Sequence, residues 1–164
     1  MSARAALLET SIKSRLIDTR GHVDALRHAC SKFGSDFDLD EFANAWKSGD
    51  PEERLPAYAV QAGYENAING AIKIAQELCE LEGWTSANQE PSSVEALKQL
   101  QENGLITAAT RDRLRSAYQS RSDLQHDYVH TAARQIHEAT RATLEAVPLL
   151  VQDVALHISA RDRR

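Results

Sequence analysis

The sequence predicts an all-α fold, a four- to five-helix up-and-down bundle, and three observations carry that prediction. Apolar residues recur at three- and four-residue spacings through most of the 164 positions, the period of one helix face. No stretch alternates apolar and polar residues as a half-buried strand would. The interruptions are helix punctuation: Asp50-Pro51 and Ser92-Ser93 open runs, and Gly34, Gly83 and Gly104 follow them. A chain of this length is one ordinary domain with a single core. Residues 1–48 form an N-terminal helix plus a short helix, and residues 50–160 form the core bundle.

The first helix is expected over Ala3 to Lys32, with Leu7, Leu8, Ile12, Leu16, Val23, Leu26 and Cys30 on one stripe. Gly21 inside it costs about 1 kcal/mol relative to alanine. Gly34 to Asp38 is a turn, after which Asp38 or Asp40 caps a short helix through Phe42, Ala45 and Trp46. Asp50 is the next N-cap, Pro51 takes the first helical position, and Glu53 completes a capping box. Pro56 is expected to shift this start or to kink the helix. Val60, Tyr64, Ala67, Ile68, Ala71, Ala75, Leu78 and Leu81 then form an apolar stripe as far as Gly83. Gly63, Ala67, Gly70 and Ala71 leave room for a second helix to approach closely.

Trp84 to Pro91 reads as a polar loop, and Ser92-Ser93-Val94-Glu95 opens a helix that turns Leu97 and Leu100 inward and stops at Gly104. Thr107 caps the next helix, with Ile106, Leu114 and Tyr118 facing the core. The last helix runs from about Ala132 to Ala160, with a bend expected at Pro148. Its stripe is Ile136, Leu144, Val147, Val151, Val154 and Ile158.

Composition narrows the function classes. A formal charge of −5 argues against a protein that coats nucleic acid indiscriminately. It is compatible with a local basic cleft, because Arg111, Arg113, Arg115 and Arg121 cluster in one stretch. Arg111 and Arg115 share a helix face and are candidates for RNA contact, whereas Arg113 points elsewhere. No apolar run approaches the roughly 20 residues of a membrane span, and Met1 to Leu8 lack the apolar centre of a signal peptide. Cys30 and Cys79 have no partners at metal-ligand spacing and read as buried, reduced thiols of a cytoplasmic protein. No phosphate loop, serine-hydrolase elbow or dinucleotide fingerprint is present.

The densest chemistry lies in Arg121-Ser122-Asp123-Leu124-Gln125-His126-Asp127-Tyr128. On one continuous helix Arg121 and His126 would stand about 140° apart around the axis, flanking a groove. A helix ending at His126 would let the ring swing toward the guanidinium. Arginine keeps its charge and offers a planar fork of donors matched to phosphate oxygens. Histidine titrates near neutrality, so it can take a proton from a ribose 2′-hydroxyl or give one to a departing 5′-oxygen. RNA carries its own nucleophile, so such a site needs no metal and no cofactor. His126, His130 and His137 lie close in sequence, but their spacing and the lack of a suitably placed carboxylate argue against a metal site. Asp123 is placed to orient His126, or else to pair with an arginine on the helix face.

Arg121, His126 and Tyr128 together match the R-x4-H-x-Y signature, and the chain resembles HEPN-domain toxins, the HepT-like ribonucleases paired with a nucleotidyltransferase antitoxin. The resemblance runs over roughly Glu53 to Ile158, including Tyr64-Glu65-Asn66-Ala67-Ile68 in the long central helix. It implies an endoribonuclease in which Arg121 and His126 are catalytic, Ser122, Asp123 and Glu65 support them, and the products carry a 2′,3′-cyclic phosphate. It further implies a homodimer that brings two motifs into one cleft. It also implies an antitoxin that silences the toxin by adding AMP to Tyr128. Ser122 stands where the family usually has Asn, Asp or His, and serine reaches less far. The alternative is a catalytically inactive HEPN bundle serving as binding or adaptor subunit for a nucleotidyltransferase. A third reading is a helical dimerisation module with an accidental motif. None of these readings involves DNA or a membrane.

Overall fold

The computed structural model describes residues 2–85, 90–124, 132–161 and 163, and for residues 122–124 it describes the backbone. Within them lie α1 (Ala3–Cys30), a 3-10 turn (Ser31–Phe33), α2 (Leu39–Lys47), α3 (Pro51–Glu82), α4 (Ser93–Glu102), α5 (Ala108–Leu124) and α6 (Ala132–Arg161). No strand occurs among the described residues. The expected four- to five-helix bundle is therefore four long helices, α1, α3, α5 and α6, with two short ones, α2 and α4, packed beside them. Ion pairs and contacts fix an up-and-down order. Arg4 near the start of α1 pairs with Glu80 near the end of α3, while Leu26 meets Gly63 at the other end of the pair. Arg113 of α5 reaches Glu145 of α6 at 2.9 Å.

Most of the helix starts follow from local chemistry. The carboxylate of Asp38 accepts the Glu41 N–H, that of Asp50 accepts the Glu52 N–H, and the hydroxyls of Ser92 and Thr107 accept those of Glu95 and Thr110. Each satisfies a donor that the first turn leaves orphaned. The capping box expected at Glu53 does not close, because its carboxylate accepts the Ser48 hydroxyl instead, at 2.6 Å. Pro56 neither moves nor ends α3, which runs unbroken from Pro51. The first helix stops at Cys30, two residues earlier than expected, and tightens into the 3-10 turn. Its apolar stripe also starts later, since Leu7 is 72% exposed and the first fully buried side chain is Ile12.

The core runs the length of the bundle, and α3 lies at its centre, burying residues from Ala57 to Cys79. The small residues of α3 do admit a neighbour, and it is α1. A Cβ on Gly63 would stand 3.3 Å from the Leu26 backbone, and one on Gly70 would stand 3.3 Å from the Thr19 Cβ. The segment between α1 and α3 has a packing role that its sequence did not announce. Phe33, Phe37 and Phe42 meet edge to face with centroids 5.3–6.1 Å apart, a favoured aromatic geometry. Phe37, at φ 52, turns the chain so that its ring stacks on His137 of α6 at 4.5 Å. The same His137 Nε2 lies 2.7 Å from the Phe37 carbonyl oxygen. The 31–47 segment thereby braces α6 five residues after that helix begins.

Candidate functional site

Arg121 sits in the last turn of α5, three residues before the helix ends at Leu124. Position 121 follows Tyr118 by three, so the two side chains are neighbours on one face. The guanidinium carbon lies 5.6 Å from the centroid of the Tyr118 ring, within cation–π range. Among the described residues no carboxylate pairs with Arg121. It is half-buried, and no hydrogen bond ties its five donors to the described residues. Leu114 and Ala117, seven and four residues before Arg121 and so on the same face of α5, are fully buried and anchor this stripe to the core.

Across from it stands the middle of α3. Tyr64 is fully buried, and its hydroxyl has no hydrogen-bond partner among the described residues. Burial, and then the neighbouring Glu65 carboxylate, push the phenol far above its ordinary range, while the positive charge of Arg121 acts in the opposite sense. Arg121 and Tyr64 are thus close enough for one to feel the other's field. Glu65 is half-buried and accepts a hydrogen bond from Gln61 at 3.0 Å. Its expected supporting role therefore begins from a carboxylate already held along its own helix.

The two arginines expected to contact RNA part company. Arg111 donates to Gln101 at 2.8 Å and to Asp112 at 2.9 Å, so it is clamped at the start of α5. Arg115, one turn on, is exposed and makes no ion pair among the described residues. Ser122 and Asp123 lie on the last turn of α5 by their backbone, and their side chains lie outside the described residues. His126, Tyr128 and His130 also lie outside them.

The structure gives His137 a plain packing role, stacked on Phe37 and bonded to its carbonyl. No cluster of His, Cys, Asp and Glu suited to a metal ion occurs among the described residues. Cys30 and Cys79 are buried and free, and burial pushes both thiols up to about 12. No described helix is long and apolar enough to cross a membrane. Helical spacing marks Tyr64 and Tyr118 as core residues only; the three-dimensional arrangement puts the Tyr118 ring against Arg121 and the Tyr64 phenol within reach of its charge.

The chain matches a family model described as ribonuclease HepT-like over residues 26–154. The match starts near the end of α1 and takes in the aromatic 31–47 segment as well as α3, α4, α5 and most of α6. It therefore begins well before Glu53, where the resemblance of the motif region was placed. No curated protein and no solved structure matches the chain.

Proposed function

The chain belongs to the HepT-like ribonuclease family, and from that premise we propose that it is a metal-independent endoribonuclease acting as the toxin of a toxin–antitoxin or related defence system. The observation that carries the reading is Arg121. It is a half-buried guanidinium at the end of α5, held by a tyrosine face and paired with no carboxylate among the described residues. A structural arginine at a helix end is ordinarily neutralised or solvated. One held with its donors free suits a phosphate.

In the proposed reaction the 2′-oxygen of a ribose attacks the adjacent phosphorus, and the bond from phosphorus to the 5′-oxygen breaks. One imidazole takes the 2′-hydroxyl proton and another protonates the leaving oxygen. Arg121 holds the non-bridging oxygens and stabilises the charge that builds there. Each chain supplies one His126, so a homodimer that shares a cleft provides both base and acid. Ser122 and Asp123 support the pair, Glu65 lines the central helix nearby, and Arg115 rather than Arg111 guides the RNA. A nucleotidyltransferase antitoxin would silence the site by adding AMP to Tyr128, where extra volume and negative charge would exclude RNA.

The test is incubation of RNA with the wild-type protein and with Arg121→Ala and His126→Ala variants, all in excess chelator. Cleavage by the wild type to 2′,3′-cyclic phosphate ends, lost in both variants, is the expected result. Ser122 favours a second reading, an inactive adaptor for a nucleotidyltransferase, because the shorter side chain weakens support of the phosphate. A folded wild-type dimer that binds such a partner and cuts no RNA would select it.

A further inference from the structure

Tyr64 is the largest of the fully buried side chains, and its hydroxyl is enclosed without a hydrogen-bond partner among the described residues. Buried polar groups are nearly always paired, because an unpaired one forfeits its hydration for nothing. Phenylalanine would fill the same space at the centre of α3 without that penalty. The oxygen therefore calls for a partner that arrives from nearby, and α5 packs alongside α3 with Arg121 in its last turn. The contact Arg121 does make, with the Tyr118 ring, is a face contact at 5.6 Å. It retains the charge but leaves the plane of the fork unset. Bidentate capture of a phosphate needs that plane fixed.

We propose that Tyr64 is a positioning residue for the ribonuclease reaction: its hydroxyl accepts a hydrogen bond from the Arg121 guanidinium as that side chain, still over the Tyr118 ring, turns to meet the scissile phosphate. The inference rests on the assignment of Arg121 as the phosphate-binding group. A phenol suits the task better than a carboxylate. A buried aspartate or glutamate in its place would orient the guanidinium but neutralise the charge the transition state needs. A neutral hydroxyl orients it and leaves the charge intact. Burial holds the phenol protonated across the working range, so its neutrality is assured. Glu65, the adjacent carboxylate, is held by Gln61 instead. The long α3, packed on every other long helix, gives the oxygen a fixed address.

The test is Tyr64→Phe, which removes one oxygen and keeps the ring. The expected result has three parts: kcat for RNA cleavage falls by about tenfold, the size of one lost hydrogen bond in the transition state; KM stays within about twofold; and the melting temperature holds or rises, because an unpaired buried group has been removed. In the same variant the Nε–H of Arg121 should exchange faster with solvent by NMR in the presence of a non-cleavable RNA. A Tyr64→Phe protein with undiminished kcat overturns the inference alone, provided that the wild type cleaves and Arg121→Ala does not. A loss of activity that only follows a lower melting temperature, with Arg121 exchange unchanged, overturns it too. An inert wild type, or an Arg121→Ala variant as active as wild type, overturns the ribonuclease reading and this inference with it.

Discussion

The guanidinium of Arg121 lies over the ring of Tyr118, 5.6 Å from its centroid and one turn back along α5. This contact keeps a charged group half-buried at a helix end without a counter-ion among the described residues. Tyr118→Phe preserves the ring face and should leave RNA affinity unchanged. Tyr118→Ala removes it, at a cost of about 0.5–1 kcal/mol for an interaction of this kind, which corresponds to roughly a two- to fivefold weaker affinity. Titration of both variants with a non-cleavable RNA checks this. Equal affinities for the two variants would show that the ring does not hold the arginine.

The α1–α3 seam depends on a missing side chain. A Cβ on Gly70 would collide with the Thr19 hydroxyl and come within 3.3 Å of its Cβ and Cγ2, and Thr19 is itself buried. Gly70→Ala gains helix propensity of about 1 kcal/mol but must separate two packed helices, an overpacking cost of about 1–3 kcal/mol. Packing wins, and a net loss of about 1 kcal/mol is expected by denaturant unfolding. Adding Thr19→Ala should restore part of it. A Gly70→Ala protein more stable than wild type would refute the close contact.

His137 ties the aromatic 31–47 segment to α6 through its stack on Phe37 and its bond to the Phe37 carbonyl. His137→Leu keeps apolar volume but leaves that buried carbonyl unpaired, a cost of about 1–3 kcal/mol. Unfolding experiments should show this loss, together with faster amide exchange over residues 31–47. Unaltered stability and exchange would mean that the segment is held by its phenylalanines alone.

The helices were legible because their signals are local. Asp50, Ser92 and Thr107 each cap the helix their position predicts, and of the two candidates Asp38 and Asp40 it is Asp38 that caps α2. The residues that erred did so through tertiary packing. Leu7 keeps the helical period, but no neighbouring helix covers it, so it remains exposed. Glu53 had the capping-box spacing, yet the Ser48 hydroxyl was a nearer partner. For the proposed site, the sequence singles out Arg121 and the class of chemistry it would suit. It showed nothing of Tyr64, whose spacing is that of a core residue and whose hydroxyl becomes an anomaly only once its surroundings are known. Arg111 and Arg115 looked equivalent on a helix wheel, and Gln101, ten residues before Arg111 on another helix, separates them. His126 and Tyr128 lie outside the described residues, so their places in the site remain expectations of the motif.

Stability should fall at alkaline pH. Burial raises the thiols of Cys30 and Cys79 from 9.0 to about 12, with Glu95 adding to the effect at Cys79, and burial raises the Tyr64 phenol as well. Each folded value lies above the unfolded one, so the unfolded chain releases these protons first. Their contribution is fully present below about pH 9 and is lost as the pH climbs toward 12. Melting temperatures should therefore decline through that window. The native thiols should resist thiol reagents near neutral pH, since burial also disfavours the reactive thiolate. A flat profile above pH 9, or rapid labelling of the native protein, would contradict the buried environment of both thiols.

The central claim is that Arg121 and His126 cut RNA without a metal. Total RNA incubated with the wild-type protein in excess chelator should yield fragments with 2′,3′-cyclic phosphate ends. His126→Ala, folded to the same helical content, should yield none. Undiminished cleavage by that variant, or cleavage that vanishes when chelator is added to the wild type, would contradict the account.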